Sequence, residues 1–170
     1  MSNIHIFGPF NSGTNLANKI FLGQQNKLLW KHTLDFTTLD NKMTNLPSYQ
    51  FVFLYRPIEQ WLQSMKKASY DTAWNQNLDS KLKNYGKDLT IIELYILIYT
   101  NYINLIEKFP NCYSVNYYNL LDNGYQYYCN KAKKMDIQVI DEKQYKKILS
   151  APAKFHGKPV KNANHALTKM

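Results

Sequence analysis

The stretch Gly8-Pro9-Phe10-Asn11-Ser12-Gly13-Thr14-Asn15 concentrates glycines, hydroxyls and side-chain amides in one short turn. An apolar run from Asn3 to Phe7 enters it and reads as a buried strand. A helix from about Thr14 to Leu22 leaves it, with Thr14 or Ser12 as its cap and Gly23 placed to end it. Such a strand-turn-helix corner aims several backbone N–H groups and a helix N-terminus at one point, which makes a candidate anion site. Arg56 is the second candidate. It follows Gln50 to Tyr55 (QFVFLY), the strongest strand in the chain, and Pro57 then suits the first turn of a helix running to about Ser69. In open parallel sheets, ligands sit beyond the carboxyl ends of the strands. A guanidinium there can grip a phosphate through two parallel hydrogen bonds. Ser64, on the following helix, can add a hydroxyl donor.

Composition points the same way. The net charge is +9, which favours anionic partners. Twenty of the cations are Lys and one is Arg, and there are nineteen Asn. Lys, Asn, Ile and Tyr have A/T-rich codons, so much of this bias is genomic, and the arginine retained against it gains interest. A chain of 170 residues suits one domain, taken as residues 1–170 with a basic tail from about 151. The apolar stretch Ile91 to Ile106 is interrupted by Glu93, Thr100, Asn101 and Asn104, so no membrane span is expected. Cys112 and Cys129 are too few for a disulfide scaffold, and His5, His32, His156 and His165 show no metal-ligand spacing. A cytoplasmic protein with reduced thiols and no metal is the expectation.

The remaining elements must position those residues. Lys27 to Thr33 is a second strand candidate, and Asp35 to Pro47 reads as polar and irregular. Ser69 to Gly86 reads as a loop or broken helix, in which Tyr70 and Trp74 are candidates to line an acceptor site. Asp88 or Thr90 caps a long helix to about Phe109, ended by Pro110. Cys112 to Asn116 is a fourth strand, Leu120 to Met135 one helix, and Gln138 to Leu149 holds another short one. Alternation of strands and helices predicts an α/β domain with a parallel sheet of about four to five strands flanked by helices. His5, inside the first strand, reads as structural. The pairs Tyr117-Tyr118 and Tyr127-Tyr128 are stacking candidates in a chain already rich in tyrosine.

The spacing Gly8-x4-Gly13 matches a phosphate loop, but Thr14 stands where an NTPase has lysine. Asn11-Ser12-Gly13-Thr14-Asn15 instead resembles the 5′-phosphosulfate loop of the sulfotransferases, Lys/Arg-SGT-Thr/Asn. FVFLYRPIEQWLQSM resembles their 3′-phosphate motif, with Arg56 and Ser64 at its two ligand positions. Trp30-Lys31-His32 resembles the WKH that follows the second strand in small bacterial and viral members, and CYSVNYYNLL resembles their later strand and its Tyr-Glu-Asp-Leu-Leu. The four matches occur in order over about residues 3 to 121.

The resemblance implies a three-layer P-loop-type domain and a donor, 3′-phosphoadenosine 5′-phosphosulfate (PAPS), with 3′-phosphoadenosine 5′-phosphate (PAP) as product. Ser12, Gly13, Thr14 and Asn15, with Asn11 beside them, would hold the 5′-phosphosulfate. Arg56 and Ser64, with Lys158 from the tail, would hold the 3′-phosphate. His32 would be the base for the acceptor and Lys31 the cation stabilising the leaving charge. The acceptor would be a small molecule, glycan or peptide, with nucleic acid and membrane disfavoured as partners. Two departures stand out: Asn11 replaces the family's cation before SGT, and the C-terminal nucleotide-covering loop is reduced to Lys154 through Asn162. A non-catalytic nucleotide-binding relative and a P-loop small-molecule kinase stay open as alternatives.

Overall fold

The computed structural model describes residues 3–22, 32–67 and 89–151. Within them the order is β1 (Asn3–Phe7), α1 (Thr14–Leu22), α2 (Phe36–Thr44), β2 (Tyr49–Tyr55), α3 (Ile58–Lys67), α4 (Ile91–Ile106), β3 (Cys112–Asn116), α5 (Tyr117–Asp122), α6 (Gly124–Lys134) and α7 (Glu142–Ser150). The three strands form one parallel sheet in the order β1-β2-β3. Phe7 lies opposite Phe53, and Tyr55 opposite Asn116, so all three strands end at the same edge.

β2 is apolar on both faces because both are covered. Phe51 and Phe53, with Phe7, pack against Leu39 and Met43 of α2, Trp61 and Met65 of α3, and the inner face of α4. Val52 and Leu54, with Ile6 and Val115, pack against Ala17, Ile20 and Phe21 of α1 and against Leu120, Tyr128 and Tyr145. Two apolar layers thus sandwich the sheet, as an α/β domain requires. Trp61 is fully buried, and burying an aromatic of that size contributes about 3 kcal/mol.

Four helix starts follow from local chemistry. Asp35 accepts from the Thr38 N–H at 3.0 Å and Asp141 from the Gln144 N–H at 2.7 Å. Thr90 and Glu93 form a reciprocal capping box. Asn116 accepts from the Tyr118 N–H at 3.0 Å, so β3 passes directly into α5.

Several expected boundaries are corrected. Asp35 to Pro47 is not irregular: the Asp35 cap starts α2, and Leu39 and Met43, four apart, bury its inner face. The single helix from Leu120 to Met135 is two, α5 and α6, divided at Asn123. α4 ends at Ile106 rather than Phe109, with Glu107 as its cap. His32 lies in a turn and Thr33 outside any strand; the rest of the second strand candidate, with Gly23 and Trp30, falls outside the described residues. So do the segment containing Tyr70 and Trp74 and the tail with His156, Gly157 and His165. Three strands are described where four to five were expected.

Candidate functional site

β1 delivers the chain to the turn from Gly8 to Gly13 beside the end of β2. A Cβ on Gly8 would sit 2.2 Å from the Leu54 carbonyl oxygen, so only glycine permits this approach. Asn11 and Gly13 adopt positive φ, 62° and 97°, which Asn tolerates and glycine favours. The Ser12 N–H donates to the Pro9 carbonyl at 3.2 Å, and the Gly13 carbonyl accepts from Leu16 and Ala17 in the first turn of α1. The N–H groups of Gly13 and Thr14, by contrast, have no acceptor among the described residues. The Ser12 hydroxyl is fully buried and also has no partner there. A buried polar group without a partner costs free energy unless something bonds it.

Arg56 leaves the end of β2 toward this turn. Its Nη1 donates to the Ser64 hydroxyl at 3.1 Å, and its guanidinium carbon lies 4.2 Å from the centre of the Tyr117 ring. Its Nε is buried and has no partner among the described residues. The Asn11 amide donates to the Ser64 hydroxyl at 2.5 Å from the other side. Tyr117 packs on Gly13, where a Cβ would approach the ring to 2.4 Å. The loop, α3, the end of β2 and the start of α5 therefore meet in one continuous ring: Asn11, Ser64, Arg56, Tyr117, Gly13. Burial holds the Tyr117 phenol above its usual range, with the Arg56 guanidinium acting in the opposite direction.

His32 completes the cluster. Its Nδ1 lies 2.9 Å from the Gly8 carbonyl, which can only accept, so Nδ1 carries the proton. In the neutral ring Nε2 then accepts, and the Thr14 hydroxyl donates to it at 3.4 Å. Phe10 meets the imidazole edge-on at 5.5 Å between centres. Aromatic side chains with polar tips hold each segment of the site from beneath. The Trp61 indole donates to the Phe10 carbonyl at 2.8 Å, Tyr99 to the Arg56 carbonyl at 2.8 Å, and Tyr102 to the Thr33 carbonyl at 2.5 Å. Tyr127 accepts from the Asn116 N–H at 2.9 Å. Burial, reinforced by nearby Tyr55, pushes the Tyr99 phenol up to about 12, so it remains a donor.

Asn11, Ser12, Gly13, Thr14, Arg56, Ser64 and His32 are thus gathered around one edge of the sheet. Asn15 lies beside them in the first turn of α1. Lys31 and Lys158 lie outside the described residues. Sequence reasoning missed the roles of Tyr117, Tyr99 and Tyr102. Tyr117 is the first residue after β3, at the same sheet edge as Arg56, which is a readable signal; Tyr99 and Tyr102 are three apart on the inner face of α4. His5 is buried among Phe7 and Phe51, away from the site. Burial, with a smaller contribution from the Lys42 ammonium, pulls its imidazole down to about 4.

A cavity of about 520 Å³ lies elsewhere, between α1 and α7, lined by Lys19, Lys143, Lys147 and Ile148 among others. Lys19 is in the last turn of α1, so this cavity is at the opposite end of that helix from the cluster. Its volume does not make it the site of chemistry, because no imidazole or arginine lines it. Among the described residues no group of His, Cys, Asp and Glu is arranged to hold a metal, and no helix is long and apolar enough to cross a membrane. Comparison of the chain with protein-family models, curated proteins and solved structures finds no match in any of the three.

Proposed function

We propose that this chain is a sulfotransferase of P-loop type that moves a sulfuryl group from PAPS to an acceptor hydroxyl or amine. One observation carries the reading: Arg56 and Ser64 stand together at the carboxyl end of β2, joined to the glycine turn through Asn11. A donor with a 5′-phosphosulfate and a 3′-phosphate needs two anion grips at a fixed separation, and the turn and Arg56 would serve as these. The residues also fit such a ligand in their unmet polar groups, the Ser12 hydroxyl and Arg56 Nε, and in the Gly13 and Thr14 N–H groups. Ser12, Gly13, Thr14 and Asn15 would bind the 5′ end, and Arg56 with Ser64 the 3′-phosphate; Lys31 and Lys158 are proposed beside them on the sequence alone.

The transfer forms a bond from the acceptor atom to sulfur and breaks the sulfur–oxygen bond to the 5′-phosphate. The acceptor proton must leave, and His32 Nε2 would take it, with Nδ1 carrying its own proton to the Gly8 carbonyl and the Thr14 hydroxyl turning from Nε2 to the donor. Catalysis rests on alignment and on donors facing the developing charge.

The test is a thermal-shift titration with PAP, ATP and AMP. PAP at about a hundred times its dissociation constant adds roughly 2.7 kcal/mol, which raises the melting point of a chain this size by about 5–10 °C. Arg56→Ala should abolish that shift. A shift with ATP and magnesium but none with PAP would overturn the donor assignment in favour of a kinase.

A second reading, nucleotide binding without transfer, is favoured by Asn11 itself. It carries no charge where the family has a cation, and its amide is already committed to Ser64. Removing one donor from a developing oxyanion costs roughly 3 kcal/mol of barrier. PAP binding with no sulfate transfer to phenolic, sugar or amine acceptors would decide for this reading.

A further inference from the structure

We propose that Tyr117 is the positioning residue for Arg56, a spacer whose ring sets the separation between the glycine turn and the guanidinium and so selects ligands carrying two anionic groups. The inference rests on the donor reading above for the identity of the ligand, but its geometry stands apart from it.

One side of the Tyr117 ring lies against the turn. A Cβ on Gly13 would come within 2.4 Å of Cδ2 and 2.6 Å of Cε2, so the ring occupies the volume of the missing side chain. The guanidinium carbon is 4.2 Å from the ring centre, within cation–π range, and 5.7 Å from the centre of Tyr118. Arg56 is therefore fixed in two ways. Tyr117 holds its guanidinium over the ring, and the Ser64 hydroxyl at 3.1 Å holds one edge. A guanidinium held over an aromatic ring can keep N–H donors free for an anion.

The ring is itself fixed. It belongs to the first residue of α5, whose start is capped by the Asn116 side chain, and Tyr127 binds the Asn116 N–H. The Asn11–Ser64 hydrogen bond closes the opposite side of the ring of contacts. With both sides closed, the distance from turn to guanidinium depends on an aromatic ring rather than on a flexible side chain. A ligand with a single anionic group needs only one of the two grips; a bisphosphorylated nucleotide needs both at the spacing Tyr117 imposes.

Arg56 is the only arginine in the chain, so its Nε–Hε pair gives a single resonance in a ¹⁵N-correlated NMR spectrum. In the wild type and Tyr117→Phe, ring current should move that resonance upfield from free arginine. In Tyr117→Leu it should return to the free position. PAP affinity should fall about tenfold in Tyr117→Leu, between the sizes of an exposed and a desolvated cation–π contact, while AMP affinity holds and Tyr117→Phe restores PAP binding. Tyr117→Met serves the same purpose should the leucine variant fail to fold. An unshifted wild-type resonance, or equal losses for PAP and AMP in a folded variant, would overturn the inference. A shifted resonance that Tyr117→Leu abolishes, in a protein that never binds PAP, would sink the donor reading and leave Tyr117 as the residue that positions Arg56.

Discussion

The two faces of the sheet use the same kind of residue for different ends. On the face covered by α2, α3 and α4, Trp61, Tyr99 and Tyr102 send their polar tips to the carbonyls of Phe10, Arg56 and Thr33. All three carbonyls belong to segments that carry candidate site residues. On the opposite face, Tyr125, Tyr128 and Tyr145 pack against one another in tilted and edge-on pairs, with Tyr128 and Tyr145 rings 5.2 Å apart. Their hydroxyls meet the backbone of Ile140 and Leu120, in and around α5–α7. The first face passes its packing to the site through all three phenol and indole tips, whereas the second reaches it only through Tyr127 at the Asn116 N–H and otherwise holds helices together. An A/T-rich coding bias can supply tyrosines, but their position decides which of these they do.

Three changes would break or sharpen that contrast. The largest is acidification, which reaches the α2–α4 face through His5, buried there among Phe7 and Phe51 with Lys42 nearby. The imidazole titrates at about 4 when folded against 6.5 when free. Between those values the unfolded chain binds a proton that the folded chain does not. The stability is therefore complete above about 6.5 and is lost as pH falls through about 4, by on the order of 3 kcal/mol. Urea unfolding at pH 7 and pH 4 should show the loss, and His5→Phe should remove most of it. An unchanged pH dependence in His5→Phe would mean that acid acts elsewhere.

Tyr145→Phe is next. It takes the donor from the buried Leu120 carbonyl and should cost about 2 kcal/mol in unfolding free energy, with PAP affinity unchanged. Tyr99→Phe is the smallest in stability, about 1 kcal/mol, because the Arg56 carbonyl is only half-buried and water can replace the phenol. It should nonetheless weaken PAP several-fold, measured by calorimetric titration. The contrast between faces fails if Tyr145→Phe weakens PAP as much as Tyr99→Phe does.

How far the chain could be read from its residues depends on the range of the forces involved. β1, α1, β2, β3 and the start of α4 were legible because short apolar runs and a capping residue, read as Asp88 or Thr90, are local signals. α2 was missed because Asp40, Asn41, Lys42 and three threonines obscure Leu39 and Met43, whose value comes only from packing on the sheet. The break at Asn123 was missed although Asp122-Asn123-Gly124 interrupts the apolar residues there and carries a local turn signal. At the site, Ser12, Arg56, Ser64 and His32 were legible as residue types that do chemistry. The Asn11–Ser64 bond and the Tyr117 wedge were not, since each joins positions far apart in sequence, and only the assembled sheet brings them together.

That long reach has a consequence for synthesis. Gly13 and Arg56 emerge from the ribosome well before Tyr117, and domains generally acquire structure as the chain lengthens. A nascent chain that has paired β1 with β2 already possesses the turn and the arginine, and Ser64 can bridge them to one side, yet the ring that spaces them on the other is missing. Only when β3 aligns and α5 begins does the spacer arrive. A ligand that needs both grips cannot rescue such an incomplete chain, and a truncation before Asn116 should remain insensitive to PAP at concentrations that protect the whole protein.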